Sequence, residues 1–90
     1  MLFMVVERFR NQDARAVYRR LRDEGRAMPE GLSFVSSWVS ADVGRCFQVV
    51  ACDDVTLVQR WVARWSDLVE FEVLPVKISA EVVAELASQL

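Results

Sequence analysis

The chain predicts an α+β fold of the ferredoxin-like kind: βαββαβ with a C-terminal tail helix, folded as a four-stranded antiparallel sheet in a dimeric α+β barrel. Three observations carry this expectation. Four short runs rich in Val, Phe and other β-formers alternate with two stretches of helical spacing, in the order strand, helix, strand, strand, helix, strand. Ninety residues leave room for one core, so residues 1–90 are expected to form a single domain. Finally, the first and third strands carry apolar residues on both faces, whereas two helices in such a chain cover only one face. An identical sheet from a second copy is the simplest cover for the other, which predicts a homodimer through the sheet face.

The opening run LFMVVERF is strand-like, apolar at both parities as far as Val6. NQDARAVYRRLRDEGRAM follows, with Asn11 or Asp13 as N-cap, Ala14, Val17, Tyr18 and Leu21 on one stripe, and Gly25 as the stop. Pro29 and Gly31 mark a turn into LSFVSSWVS. Strict alternation there puts Leu32, Phe34 and Trp38 on one face and Val35 and Val39 on the other, and the interspersed serines suggest shallower burial. A hinge at Ala41-Asp42-Val43-Gly44 leads to RCFQVVAC, with Arg45, Phe47, Val49 and Ala51 on one side and Cys46, Gln48, Val50 and Cys52 on the other.

Asp53 or Asp54 can cap the second helix, VTLVQRWVARWSDL, whose inward stripe is Leu57, Val58, Trp61, Val62, Trp65 and Leu68. VEFEVLPV alternates Val69, Phe71 and Val73 against Glu70 and Glu72, and Pro75 suits the end of an edge strand. Ser79 is expected to cap a tail helix bearing Val82, Val83 and Leu86.

Composition is 53% hydrophobic and 27% charged, which excludes a disordered chain. A domain this small buries only about 60 to 65% of its unfolded surface, so apolar excess points to a partner. The net charge of −2 disfavours nucleic acid, which needs clustered positive surface. Arg15, Arg19, Arg20, Arg22 and Arg26 are a local exception. Asp13, Asp23 and Glu24 interleave with them at spacings that favour pairing along a solvated helix face. The opening apolar run lacks a basic flank and is too short for a signal peptide or a membrane span, so no membrane partner is expected and the location reads as cytoplasmic.

Cys46 and Cys52 share a strand face but lie roughly 20 Å apart at about 3.3 Å per residue, too far to bridge. With no histidine in the chain, they lack the usual nitrogen partner for zinc or for a thiol nucleophile. Buried free thiols in a reducing compartment are expected, with no metal.

Glu7 and Arg8 follow a five-residue apolar run in a central strand, where desolvated charges need partners, and being adjacent they point to opposite faces; a structural role, near the solvated strand end or in a fixed ion pair, is the first reading and ligand contact the second. Trp38, Trp61 and Trp65 are numerous for this length. Trp61 and Trp65 stand four apart on the inward stripe, which suits packing, and also suits the wall of an aromatic pocket between helices and sheet. Tyr18 could add a hydroxyl to such a pocket. The ligand-binding candidates are therefore Glu7, Arg8, Tyr18, Trp38, Trp61 and Trp65. Arg45 and Gln48 fall on opposite faces, so they would not serve one site within a chain, though each could meet a partner across the sheet. Glu70 and Glu72, about 7 Å apart on an edge strand, read as solubilising charges that block edge pairing. Phosphate loops, nucleophile elbows and triads are missing from the sequence.

MLFMVVERF, MPEGLSFVSSWV, RCFQVVACDD and WVARWSDLVEFEVLPV together resemble the bacterial domain-of-unknown-function 3303 family, over nearly the whole chain to about Val76. The resemblance implies a dimeric α+β barrel and supplies no catalytic residues. Proteins of that architecture include cofactor-independent monooxygenases, haem-degrading enzymes and small-ligand binders, an analogy of fold alone. The missing histidine counts against haem. The expectation is a cytoplasmic homodimer binding a small, mostly apolar organic ligand without cofactor. The alternatives are a cofactor-independent oxygenase or isomerase in which Glu7, Tyr18 or Arg8 polarises the substrate, and a structural or adaptor dimer without a pocket.

Overall fold

Strand β1 (Leu2–Phe9) begins the computed structural model, which describes residues 1–90. A short 3-10 turn at Arg10–Gln12 leads into helix α1 (Ala14–Glu24), and Asp13 caps it by accepting from the Ala16 amide at 3.1 Å. Gly25 ends the helix at φ 68°, in the left-handed region that glycine enters without steric cost, and its N–H donates to the Leu21 carbonyl. Strands β2 (Ser33–Val39) and β3 (Arg45–Ala51) form a hairpin. Asp42 braces its turn, accepting from the Ser40 hydroxyl at 2.6 Å and the Gly44 amide at 3.0 Å. Helix α2 (Val55–Trp65) follows, capped by Asp54, then β4 (Val69–Val76) and the tail helix α3 (Ser79–Leu86). Ser79 is the first residue of α3 and not its cap; Ile78 holds the cap position and makes no side-chain hydrogen bond.

The strands form one antiparallel sheet in the order β2-β3-β1-β4, the βαββαβ arrangement expected of the sequence. On β1, Phe3, Val5, Glu7 and Phe9 face the helices and are buried, while Leu2, Met4, Val6 and Arg8 face the other way. Opposite them on β3, Cys46, Gln48 and Val50 face the helices, and Arg45, Phe47, Val49 and Ala51 do not. Val58, Trp61 and Trp65 of α2 and Val17 of α1 close the layer over the helix-facing side. Across the open side run half-buried apolar side chains of both central strands, and no helix of this chain covers them. The tail helix packs on none of it: all its residues are exposed.

One sequence expectation fails in β2. Phe34 pairs with Val50 and Ser36 with Val49, so Val35 is an extra residue, a β-bulge. The insertion reverses the parity of everything after it. Phe34 stays on the helix side, but Trp38 moves to the open face opposite Phe47, and Val39 comes to the helix side opposite Cys46. Alternation read straight through the strand therefore misplaces both.

Trp61 is 2% exposed and its indole N–H donates to the Arg26 carbonyl. Trp61→Ala is expected to lower the free energy of unfolding by about 3 to 5 kcal/mol, from lost apolar burial and an unfilled cavity. Urea denaturation measures this. A loss below about 1 kcal/mol would contradict the described core.

Candidate functional site

Glu7 is the anomaly around which the site is built. It occupies a helix-facing position of a central strand, between Val5 and Phe9, and is 5% exposed. It lies directly opposite Cys46, with Gln48 the diagonal neighbour on the same face. Gln48 is buried too, and its Nε2 donates to Glu7 Oε2 at 2.5 Å. The Gln48 Oε1 is buried without a partner. Two polar side chains thus lie inside an otherwise apolar layer, at a cost in desolvation that a Val or Leu would avoid.

Burial pushes the Glu7 carboxyl above its usual range; the hydrogen bonds from Gln48 and Cys46 and the positive charge of Arg26 oppose that rise without cancelling it. Burial likewise pushes the Cys46 thiol up to about 11, against the Ser37 hydroxyl, 3.6 Å from its sulfur. At neutral pH Cys46 is a thiol, which makes it a weak nucleophile. The Tyr18 phenol is raised as well, first by burial and then by Cys46 and Glu7.

A cavity of about 80 Å³ opens beside these groups, lined by Glu7, Gln48 and Cys46 on the sheet, Tyr18 on α1, and Trp61 and Trp65 on α2. Arg26 stands at its border, in the segment after α1. Its backbone carbonyl accepts from both indoles, at 2.9 Å from Trp61 and 3.1 Å from Trp65, so one peptide oxygen fixes both rings. The Arg26 guanidinium stacks over Phe34, 4.0 Å from the ring centroid, and has no carboxylate within ion-pair distance. Tyr18 is positioned edge-on to Phe9, with centroids 6.0 Å apart. The cavity therefore joins a buried acid to aromatic walls and an unpaired cation, a set that can orient a polar organic molecule or exchange a proton with it.

The structure brings Glu7, Tyr18, Trp61 and Trp65 together. It does not bring Arg8 or Trp38 to them: both lie on the open face, Arg8 because it adjoins Glu7 on the pleat and Trp38 because of the bulge. Arg26 and Ser37 were not among the candidates. A residue in an irregular connection has no periodicity that assigns it a face, and the bulge hides Ser37 in the same way that it displaces Trp38. The arginine-rich face of α1 pairs partly within itself, through Arg20 with Glu24, but the bidentate partner of Arg20 is Asp67 in the connection after α2. Asp67 Oδ2 lies 2.6 Å from Arg20 Nη2, which ties the two helices across the mouth of the layer.

A larger, shallower groove of about 940 Å³ runs between α2 and β4, past Phe3, Val58, Val62, Val73 and Pro75. Its acidic residues are Asp53 and Asp54 at one end, and Asp54 is engaged in capping α2. The smaller cavity is the better site because only there do buried polar groups converge. No three His, Cys, Asp or Glu side chains cluster to hold a metal ion, and no helix is long and apolar enough to cross a membrane.

No curated protein matches the chain in sequence. Among solved structures, the X-ray crystal structure of protein Atu4242 from Agrobacterium tumefaciens is similar with a TM-score of 0.50 at 14% identity, over 86% of this chain and 94% of that one. At that identity the likeness concerns the fold. The sequence pattern of the family described as Domain of unknown function (DUF3303) matches residues 1–90, so the chain belongs to that family.

Proposed function

We propose that the protein is a homodimer, paired through its open sheet faces, that binds a small organic molecule in the Glu7 cavity of each subunit. The observation that carries the binding role is a carboxyl group 95% removed from solvent at the wall of an aromatic-lined cavity. A core built only for stability has no use for it, since burying an acid costs more than burying an apolar side chain of the same volume. The support for pairing is the row of apolar side chains on the uncovered faces of β1 and β3, together with exposed Trp38 and Leu74 on the flanking strands. Two buried free cysteines suit a reducing compartment such as the cytoplasm.

A second reading rests on the raised pKa of Glu7. A carboxyl group whose proton affinity burial has increased is a stronger base when ionised, which suits an isomerase. Glu7 would take a proton from carbon beside a carbonyl, and the Tyr18 hydroxyl would donate a hydrogen bond to the oxygen that gains charge. Arg8, on the opposite face, has no part in this chemistry.

Native mass spectrometry of protein purified from its own host tests the main reading, with two chains and a retained small molecule as the expected species. Val49→Asp places a charge in the middle of the open face and is expected to convert the dimer to monomer with an unchanged far-ultraviolet circular dichroism spectrum. A wild-type monomer at micromolar concentration would sink the pairing.

Glu7 also predicts a pH dependence of stability. Its folded pKa is above the unfolded value near 4.5, so the folded chain binds the proton more tightly. The stability it contributes is fully present below that unfolded value and is lost as pH rises through the folded pKa, by at most about 1.4 kcal/mol per pH unit. Relative to wild type, Glu7→Gln is expected to gain stability from pH 4 upward and then level off. Parallel urea curves for the two proteins across that range would refute the assignment.

A further inference from the structure

The two ends of the Glu7 cavity differ in chemistry. At the inner end, Gln48 donates to Oε2 of Glu7 and Cys46 also bonds the carboxyl, which keeps acceptor capacity for one further donor. At the border stands the Arg26 guanidinium, 4.0 Å from the centroid of the Phe34 ring and with no carboxylate within ion-pair distance. Trp61 and Trp65 line the same cavity. An unpaired guanidinium beside an apolar cavity is a receptor for a carboxylate, which it can meet with two parallel N–H donors.

We infer that the ligand is a small hydroxy-substituted carboxylic acid, its carboxylate held by Arg26 at the border and its hydroxyl bonded to Glu7 inside. The inference rests on the binding role proposed above and specifies its ligand. A hydroxyl suits Glu7 better than an ammonium group, because it donates to the ionised carboxylate and accepts from the protonated one. It also enters the cavity without the desolvation cost of a second full charge. Size narrows the class further. With roughly 30 Å³ per water molecule as the measure, about 80 Å³ holds the equivalent of two or three waters, enough for a hydroxyl and a short carbon chain with the carboxylate outside.

The probe is 3-hydroxypropanoate, with propanoate as the control without the hydroxyl and propan-1-ol as the control without the carboxylate. Titrations are followed by the indole N–H signals in nitrogen-15 NMR spectra of the intact chain. The hydroxy acid is expected to shift the signals of Trp61 and Trp65 and leave that of Trp38 in place, and each control is expected to bind at least about tenfold more weakly. Arg26→Met keeps the backbone carbonyl that fixes both indoles, so it is expected to fold normally. It should lose the preference for the hydroxy acid over propan-1-ol. Equal binding of all three compounds, or an unaltered preference in Arg26→Met, overturns the ligand class while leaving the cavity a binding site. If no compound moves the indole signals at millimolar concentration, the class is overturned as well; should native mass spectrometry also find no retained molecule, the binding role falls with it.

Discussion

A pleated strand must send every second side chain to each face, and this chain has helices for only one of them. That constraint shapes the rest of the structure. The central strands β1 and β3 are apolar on both sides, so burying Phe3, Val5 and Val50 under α2 leaves Met4, Val6 and Val49 across an uncovered face. The edge strands β2 and β4 carry the serines and glutamates that tolerate water. The tail helix does not turn back to become a third layer, for all its residues are exposed.

Within the covered layer, the same geometry makes Glu7 conspicuous. Its neighbours on the strand at the same parity are all hydrophobic core, and the carboxyl finds its partners on β3, in Gln48 on the diagonal and Cys46 directly opposite. The two indoles overhead are not free to close on it, because both spend their N–H groups on the carbonyl of Arg26. A small cavity persists between the indoles and Glu7. The peptide that anchors the indoles belongs to the residue whose guanidinium lies over Phe34, so one residue organises the walls with its backbone and the border with its charge. Backbone anchoring of this kind keeps the ring positions independent of which side chain occupies position 26.

Membership of the DUF3303 family and the fold likeness to the Agrobacterium protein agree with the βαββαβ order and say nothing about chemistry. The functional argument is therefore local. It depends on where burial, hydrogen bonding and charge coincide, and in this chain they coincide once, between the second turn of α1, the last turns of α2 and the middle of β1 and β3.

By itself the sequence determined the elements and their order, because Val- and Phe-rich runs, two Asp caps and the three-and-four spacing of Val17, Leu21, Trp61 and Trp65 are local signals that need no tertiary information. It also showed that Glu7 and Arg8 must face opposite ways, since adjacent residues on a pleat do so whatever surrounds them. Only the tertiary structure decided which of the two faces the helices, because face assignment depends on the side to which the connections carry α1 and α2. It alone revealed the bulge at Val35, which reversed Trp38 and Val39 after a run of residues that alternates without interruption in the sequence. And it alone brought Arg26 to the border of the cavity, because a residue in an irregular segment has no period to predict where it points. The elements of this protein are written in short-range patterns; its candidate site is made by contacts between residues up to 58 positions apart, and short-range patterns do not encode those.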